Sequence, residues 1–337
     1  MSITCHLRWR TTFTFGLARA TALSCVFAVG LLMSACGEKA APRRVTIGVV
    51  NYVPVMNAVF DGFKERMKAL GYVEGQNVTY LYAGVLDPKT DAIEQEVQAQ
   101  KERKVDMMLA IGTRPAQAAK KTFAGTDVPI VFAPVINPVE EGLVASIARP
   151  GGQITGVQNG DTLPKSLEWL HAIVPQAKKI NFIYHPRDRV SLTSLKSLQA
   201  VAPAIGVELV AIEAAGSAEA AALIEALPRG SALFLAPAPS LFPMEPLLAA
   251  ASNRGIAVGM NNAVYLMNKT LMNYGAEYSE IGRQAARMAD QILKGSKPAD
   301  LPVETPEYAL TVNLQLAKQI GVEVPDAIVN QAHKVVR

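Results

Sequence analysis

The chain has 337 residues, enough for two domains of ordinary size, and half of its residues are apolar, enough for a large buried core. Its 33 basic and 29 acidic residues nearly balance. No basic cluster marks a nucleic-acid-binding surface, so the composition argues against a nucleic-acid partner.

The N-terminal segment has the three parts of a secretory signal peptide. Arg8, Arg10 and Arg19 make it basic, an apolar stretch covers 20–33, and small residues precede Cys36. The stretch is too short for a membrane span. The letters M-S-A-C also resemble a bacterial lipobox, with Met where Leu is usual. We predict a signal peptide over 1–35 and lipidation of Cys36; the alternative is an ordinary signal peptide with a coincidental cysteine.

Removal of residues 1–35 takes away Cys5 and Cys25 and leaves Cys36 as the last cysteine. The mature chain then has no disulfide, no thiol nucleophile and no cysteine-based metal site. Residues 36–44 are polar and predict a tether between the lipid and the first domain. The predicted location is the periplasm or the cell surface, anchored to the membrane through Cys36.

The first half of the mature chain alternates strands and helices. The stretch V-D-M-M-L-A-I-G-T-R-P-A-Q (105–117) is typical: an apolar run, a Gly-Thr turn, and a helix with Pro in its first turn. The predicted strands are 45–50, 78–82, 105–111 and 128–135. The predicted helices are 54–70, 91–103, one from 115 and a short one over 139–148.

The second half repeats the pattern after a turn at 149–152. Its predicted strands are 154–158, 179–184, 207–212, 231–236 and 256–259, followed by 270–276 and 303–313. Its predicted helices are 163–173, 191–204, 218–227, 244–253, 279–294 and 314–320. Such alternation predicts two α/β lobes, each with a parallel sheet covered by helices, and a cleft between them.

Five segments occur in an order that is similar to one family. They are G-Y-V-E-G-Q-N-V (71–78), A-I-G-T-R-P-A-Q (110–117), P-I-V-F-A-P-V-I-N-P (129–138), R-P-G-G-Q-I-T-G-V (149–157) and I-L-K-G-S-K-P-A-D-L-P-V-E-T-P (292–306). From 45 to about 328 the chain resembles the ABC-transporter substrate-binding lipoproteins that include tryptophan- and tyrosine-binding proteins.

The resemblance implies a type I periplasmic-binding-protein fold, with two Rossmann-like lobes joined by a three-crossover hinge. It places the crossovers near Gln158, Asn273 and Leu301. The first lobe would then comprise 45–157 and 273–300, the second 158–272 and 301–329, and 330–337 would form a tail. A solute would bind in the interlobe cleft, and closure would present a surface to a permease.

Loops at the carboxyl ends of the strands are expected to line that cleft. In the first lobe they contain Asn51, Tyr52, Gly112, Thr113, Arg114 and Asn137. In the second they contain Tyr184, His185, Pro237, Asn261 and Asn262, and Tyr274 lies near a crossover. Tyr52, Tyr184 and Tyr274 are candidates for stacking on a flat ligand, whereas Phe132 lies inside a strand and is predicted to be core. No second His or Cys stands at ligand spacing from His185, so no metal site is predicted.

Thr113 and Arg114 each have two readings. Thr113 either receives a ligand acceptor or caps its own helix. Arg114 at a helix N-terminus opposes the macrodipole, so it either pairs with an anionic ligand or is a solvated surface residue.

Two loops depart from amino-acid-binding relatives, which often carry acids there. This chain has Asn137-Pro138 and Asn261-Asn262 instead. Because an ammonium group is best bound by a carboxylate, these amides favour a neutral polar ligand. Glu277 or Asp161 would keep an amino acid possible.

The resulting prediction is a non-catalytic solute-binding lipoprotein, expected to be a monomer without a cofactor, working with the permease and ATPase of an ABC importer. The alternatives are a sensory binding protein that reports to a receptor, an exported enzyme, and a transcription regulator of the same fold. The sequence contains no G-x-S-x-G, G-x-G-x-x-G, Walker A or H-E-x-x-H motif, which argues against the enzyme. The signal peptide argues against the regulator.

Overall fold

The computed structural model describes residues 44–87, 90–241, 243–262 and 264–337. The predicted signal peptide, most of the tether and Cys36 lie outside the described residues. Within the described residues, no helix combines the length and the apolar character that a membrane span requires.

The first sheet has five strands in the order β2-β1-β3-β4-β5, and all of them are parallel. The strands are β1 Val45–Asn51, β2 Val78–Val85, β3 Met107–Ile111, β4 Ile130–Val135 and β5 Ile154–Gln158. The helices between them are α1 Asn57–Ala69, α2 Ala92–Glu102 and α3 Thr113–Thr122. Strands β3 and β4 are buried along their whole length, as expected for a parallel sheet covered on both faces.

The second sheet has seven strands in the order β12-β11-β10-β9-β8-β6-β7. They are β6 Lys179–Tyr184, β7 Glu208–Glu213, β8 Ala232–Leu235, β9 Ala257–Asn261, β10 Met272–Gly275, β11 Ala309–Asn313 and β12 Lys334–Val336. Among the strand pairs of this sheet in the described residues, only β10–β11 is antiparallel. The helices of this half are α4 Leu163–Ile173, α5 Arg189–Val201, α6 Ser217–Ala226, α7 Glu245–Arg254, α8 Tyr278–Leu293, α9 Leu314–Ile320 and α10 Asp326–Val329. The predicted α/β class with two mainly parallel sheets is confirmed.

Helix α8 returns the chain from the second sheet to the first. It packs on α1 and on the β4 and β5 strands. Its apolar residues Ile281, Ala285, Met288 and Ile292 are buried. The contact between α1 and α8 is close, because a Cβ added at Gly282 would overlap the carbonyl oxygen of Val59.

Three predicted features differ from the structure. Residues 139–148 form turns instead of a helix; within them the backbone N–H groups of Glu141, Gly142 and Leu143 donate to carbonyls three to five residues earlier. The predicted tail contains β12, which pairs with β11 and places Val335 opposite Val312. The predicted first-lobe segment beginning at 273 starts inside β10, which belongs to the second sheet.

Candidate functional site

The end of β1 is held by a closed set of hydrogen bonds. Asn51 is fully buried. Its Oδ1 accepts from the backbone N–H of Val53 at 3.0 Å, and its Nδ2 donates to Oδ1 of Asn57 at 2.9 Å. The hydroxyl of Tyr82 donates to the same Asn57 oxygen. Both the oxygen and the nitrogen of the Asn51 amide are therefore hydrogen-bonded within the protein.

Tyr52 packs its ring against Gly112, the residue that follows β3. A Cβ at Gly112 would lie 2.9 Å from Cε1 of the ring, and the glycine has φ of +96°. Glycine is therefore favoured here by both the space and the backbone conformation. Burial raises the pKa of the Tyr52 hydroxyl, and the nearby guanidinium of Arg114 lowers it in part. The register aligns Asn51 with Ile111, so these residues share one edge of the sheet.

Arg114 lies at this edge and is paired with an acid of its own lobe. Its Nη2 is 3.2 Å from Oε1 of Glu94, which lies in the first turn of α2. A ligand anion would compete with that carboxylate. Thr113 is the first residue of α3, where Gly112 is the cap residue, and the helix has no side-chain cap. Thr113 therefore does not cap its own helix.

The loop after β4 reaches towards the second half of the chain. Asn137 is exposed with φ of +51°, and its Nδ2 donates to Oε2 of Glu140 at 3.3 Å. Glu141 accepts from Nε2 of Gln117 at 2.9 Å and from Nη2 of Arg189 at 3.4 Å. Because Arg189 begins α5 in the second half, this ion pair joins the edges of the two sheets.

The ends of β6 and β8 are tied together through Asp188, which sequence reasoning did not single out. Its Oδ1 accepts from the backbone N–H groups of Val190 and Ser191, and these two hydrogen bonds cap α5. Its Oδ2 accepts from the backbone N–H of Ser240 at 3.0 Å. Burial acts to raise the pKa of Asp188, but the hydrogen bonds from Ser240, Ser191 and Val190 outweigh it and lower the pKa.

The other predicted residues on these strands are half-buried. The Tyr184 hydroxyl lies 3.4 Å from Oε2 of Glu213. Nδ1 of His185 accepts from the backbone N–H of Arg187 at 3.1 Å, a contact within the turn after β6. Pro237 follows β8 and is half-buried.

The end of β9 differs from all these edges. Asn261 and Asn262 both donate through Nδ2 to the hydroxyl oxygen of Thr162, at 3.3 and 3.1 Å. Thr162 precedes α4 but makes no cap bond to its own helix. The Oδ1 atoms of both asparagines are buried, and neither has a hydrogen-bond partner among the described residues. Asn159, on the same crossover segment as Thr162, is 5% exposed and also has a buried, unpartnered Oδ1.

Tyr274 stands beside these amides, opposite Asn261 in the β9–β10 register. Its backbone oxygen accepts from the N–H of Asn262 at 3.2 Å. Its ring centroid is 6.0 Å from that of Tyr308, whose hydroxyl accepts from the N–H of Gly160 at 2.7 Å. Burial raises the pKa of the Tyr308 hydroxyl, with the Gly160 hydrogen bond opposing it.

Sequence reasoning missed Asn159, Thr162 and Tyr308 as members of this cluster. The segment N-G-D-T directly before a helix with Pro in its first turn was a usable signal, because such residues mark a helix start. Tyr308 gave no signal, since its contact with Gly160 spans 148 residues.

Phe132 is fully buried, so its assignment to the core is confirmed. The described residues contain no group of three or more His, Cys, Asp or Glu suited to a metal ion.

Comparison with known proteins gives consistent results. A family model described as ABC transporter substrate binding protein matches residues 44–336. A tyrosine-binding protein of Clostridioides difficile is 27% identical over 288 residues, which cover 83% of this chain and 82% of that protein.

Solved structures share the fold of this chain. A conserved domain protein of Vibrio cholerae superposes with a TM-score of 0.74 at 25% identity, covering 87% of this chain and 99% of that one. A Streptococcus pneumoniae ABC domain in complex with L-Trp superposes with a TM-score of 0.72, covering 87% of this chain and 100% of that one. At 20% identity the second likeness shows the fold alone.

Proposed function

Because the chain belongs to the ABC transporter substrate-binding protein family, we propose that it is the solute-binding lipoprotein of an ABC importer. It binds a small polar or aromatic, amino-acid-like molecule in the cleft between its two lobes and delivers it to a permease. Proteins of this family are binding proteins and not enzymes, and they act outside the cytoplasm. The lipid on Cys36 would hold this one at the membrane.

The observation that carries the proposal is the meeting of two sheet edges. The carboxyl ends of β1, β3 and β4 carry Asn51, Gly112 and Asn137, and those of β6, β8 and β9 carry the second set of candidates. The Glu141–Arg189 ion pair joins the two edges. Open α/β sheets bind ligands at such edges, which supports a site between the lobes.

The ligand class is supported by the side chains at these edges and by the relatives. Half-buried rings of Tyr52 and Tyr274 offer flat apolar faces, and buried amides offer hydrogen bonds. The relative from Clostridioides difficile is a tyrosine-binding protein. An aromatic amino acid is accordingly the first solute to test.

A docking surface for the permease is supported by exposed apolar side chains. Among the described residues five large apolar side chains are exposed, and four of them lie on the two segments that the Glu141–Arg189 pair joins. They are Ile136, Val139, Val190 and Leu192. Since they come from both lobes, they form one surface only when the lobes are together, which suits a permease that recognises the closed form.

The test is a screen of the mature protein against amino acids, their derivatives and neutral polyols. A true ligand at 100 times its Kd should stabilise the protein by about 2.7 kcal/mol, seen as a higher Tm. X-ray scattering should then show a smaller radius of gyration. If no solute in the panel changes either quantity, the proposed function is wrong.

The lipid anchor has a separate test. Cells that express the full chain should incorporate a labelled fatty acid into it and retain it in the membrane fraction. Cys36→Ser should lose both the label and the retention. Label that persists on the Cys36→Ser variant would rule out this cysteine as the anchor.

A further inference from the structure

Three buried amide oxygens at the second-lobe edge have no hydrogen-bond partner within the described residues. They are the Oδ1 atoms of Asn159, Asn261 and Asn262. Asn159 and Asn261 are 5% and 8% exposed, so water reaches them poorly. Leaving buried acceptors unsatisfied destabilises a folded protein and requires an explanation.

Thr162 sets the direction of two of these oxygens. Its hydroxyl oxygen has two lone pairs, and it accepts one hydrogen bond from Nδ2 of Asn261 and one from Nδ2 of Asn262. With each Nδ2 turned to Thr162, each Oδ1 is turned away from it. Gly275 leaves room for the Asn262 oxygen, because a Cβ at that position would overlap it.

The chemistry of the cluster defines what it can bind. Carbonyl oxygens accept hydrogen bonds, and none of the three receives one from the residues that the structure describes. A group with several N–H or O–H donors satisfies them, whereas a carboxylate or phosphate brings only more acceptors. An ammonium group, with three N–H donors, and a set of hydroxyls are both groups of this kind.

We propose that Asn159, Asn261 and Asn262 form the subsite for the hydrogen-bond-donating head of the ligand, an ammonium or a set of hydroxyls. The inference rests on the proposed function, because it names the part of the solute that this edge recognises. Thr162 is a positioning residue that aims the amides. The rings of Tyr274 and Tyr308 continue from the subsite and offer an apolar wall for the rest of the solute.

The test uses calorimetry on solute pairs that differ in the donor head. L-tyrosine is compared with 3-(4-hydroxyphenyl)propanoate, which lacks the ammonium, and myo-inositol with cyclohexanol. In the wild type, the donor-rich member of the pair that binds should bind about ten- to a hundredfold more tightly than its partner. Asn261→Leu should abolish most of that difference.

Asn261→Asp separates the two head groups. The aspartate keeps a hydrogen bond to Thr162, whose hydroxyl turns to donate, and it adds a negative charge. An ammonium ligand should bind more tightly to this variant, while a polyol should not. Circular dichroism and Tm establish that each variant is folded before its affinity is used.

Asn313→Asp is the matched control. Asn313 is a buried asparagine whose Oδ1 accepts from Leu316 and whose Nδ2 donates to Met267. Because β11 is antiparallel to β10, Asn313 lies at the opposite edge of the sheet. This variant should leave the difference within each pair unchanged.

Two outcomes would overturn the subsite while the binding function survives. One is equal affinity of the two members of a pair that binds the wild type. The other is a folded Asn261→Leu variant that keeps the full difference. If no member of either pair binds and no solute of the wider panel closes the protein, the proposed function fails, and the subsite fails with it.

Discussion

The two sheet edges that the Glu141–Arg189 pair joins carry similar residues in opposite conditions. At the end of β1, Asn51 uses its amide oxygen and its amide nitrogen on Val53 and Asn57. At the end of β9, Asn261 donates its amide N–H to Thr162, but its oxygen has no partner in the part of the chain that the structure describes. The first edge is satisfied by the protein itself, whereas the second retains capacity for hydrogen bonds.

We expect this difference to separate a scaffold from the proposed recognition surface. A buried side chain whose polar groups are all bonded stabilises the fold, so its loss lowers stability. A buried acceptor without a partner does the opposite, and proteins tolerate such groups mainly where function requires them. Substitutions at the first edge should therefore change stability, and those at the second should change binding.

The largest expected effect is at Asn51. Asn51→Leu leaves the Val53 N–H without its partner, which costs about 1–3 kcal/mol, and removes one of the two hydrogen bonds to the Asn57 oxygen, which keeps the one from Tyr82. Asn261→Leu removes one of the two hydrogen bonds that the Thr162 hydroxyl oxygen accepts, and it also removes an unsatisfied oxygen. Its loss of stability should therefore be clearly smaller. Urea unfolding of the two variants without ligand measures both values. Equal losses would contradict the contrast between the two edges.

Gly112 tests how rigidly the first edge is built. Gly112→Ala places a Cβ against the Tyr52 ring and a non-glycine residue at φ +96°, and we expect a loss of about 1–3 kcal/mol. In a Tyr52→Ala background the clash with the ring is absent but the backbone strain remains. Gly112→Ala should therefore cost less stability in that background than in the wild type. If thermal unfolding shows that Gly112→Ala costs no stability in the Tyr52→Ala background, the backbone conformation contributes nothing.

Asp188 provides a prediction about pH at the second edge. Because the pKa of Asp188 is lowered in the folded protein, its stabilising effect is present above its ordinary value of 3.8 and is lost as the pH falls through the folded pKa. Asp188→Ala should cost about 0.5–2 kcal/mol at neutral pH through loss of the helix cap. Asp188→Asn retains a cap acceptor but does not titrate.

The measurement is the stability of the wild type and of Asp188→Asn from pH 7 to pH 2.5. The wild type should lose more stability than the variant below pH 3.8. Parallel curves for the two proteins would mean that Asp188 does not titrate with folding.

The Glu141–Arg189 pair joins the two edges, and its effect on stability should be small. The Arg189 side chain is 88% exposed, and exposed ion pairs contribute only about 0.2–1 kcal/mol. Arg189→Ala should mainly favour the open form, with a larger radius of gyration in scattering and a weaker dependence of that radius on salt. A control at Lys179, which pairs with Glu208 within one lobe, should leave the radius unchanged.

The smallest effect is expected at Arg114. Since this guanidinium already lies 3.2 Å from Glu94 at an exposed position, Arg114→Ala should change stability by about 0.5 kcal/mol or less. Ligand affinity should also change little if the donor-binding second edge dominates recognition. A loss of affinity above tenfold in calorimetry would assign the first edge a direct role and break the contrast.

Local patterns in the sequence determined the secondary structure and the fold class. The apolar run from Met107 to Ile111 is a fully buried strand, and the spacing of Ile281, Ala285 and Met288 marks the buried face of α8. Both signals depend on neighbours within a few residues, which is why they can be read from sequence. The turn at 139–148 was misread as a helix because helix formation there depends on tertiary packing that its short pattern does not encode.

Only the tertiary structure decided which polar groups have partners. Arg114 follows β3, Asn261 ends β9, and both were candidates for the ligand. Arg114 meets Glu94, whereas the Asn261 oxygen has no partner among the described residues. Glu94 lies 20 residues from Arg114, and Thr162 lies 99 residues from Asn261. Hydrogen-bond satisfaction depends on atoms brought within about 3 Å by folding. A linear pattern therefore names the candidates, and only the packing of the chain decides which of their polar groups are satisfied.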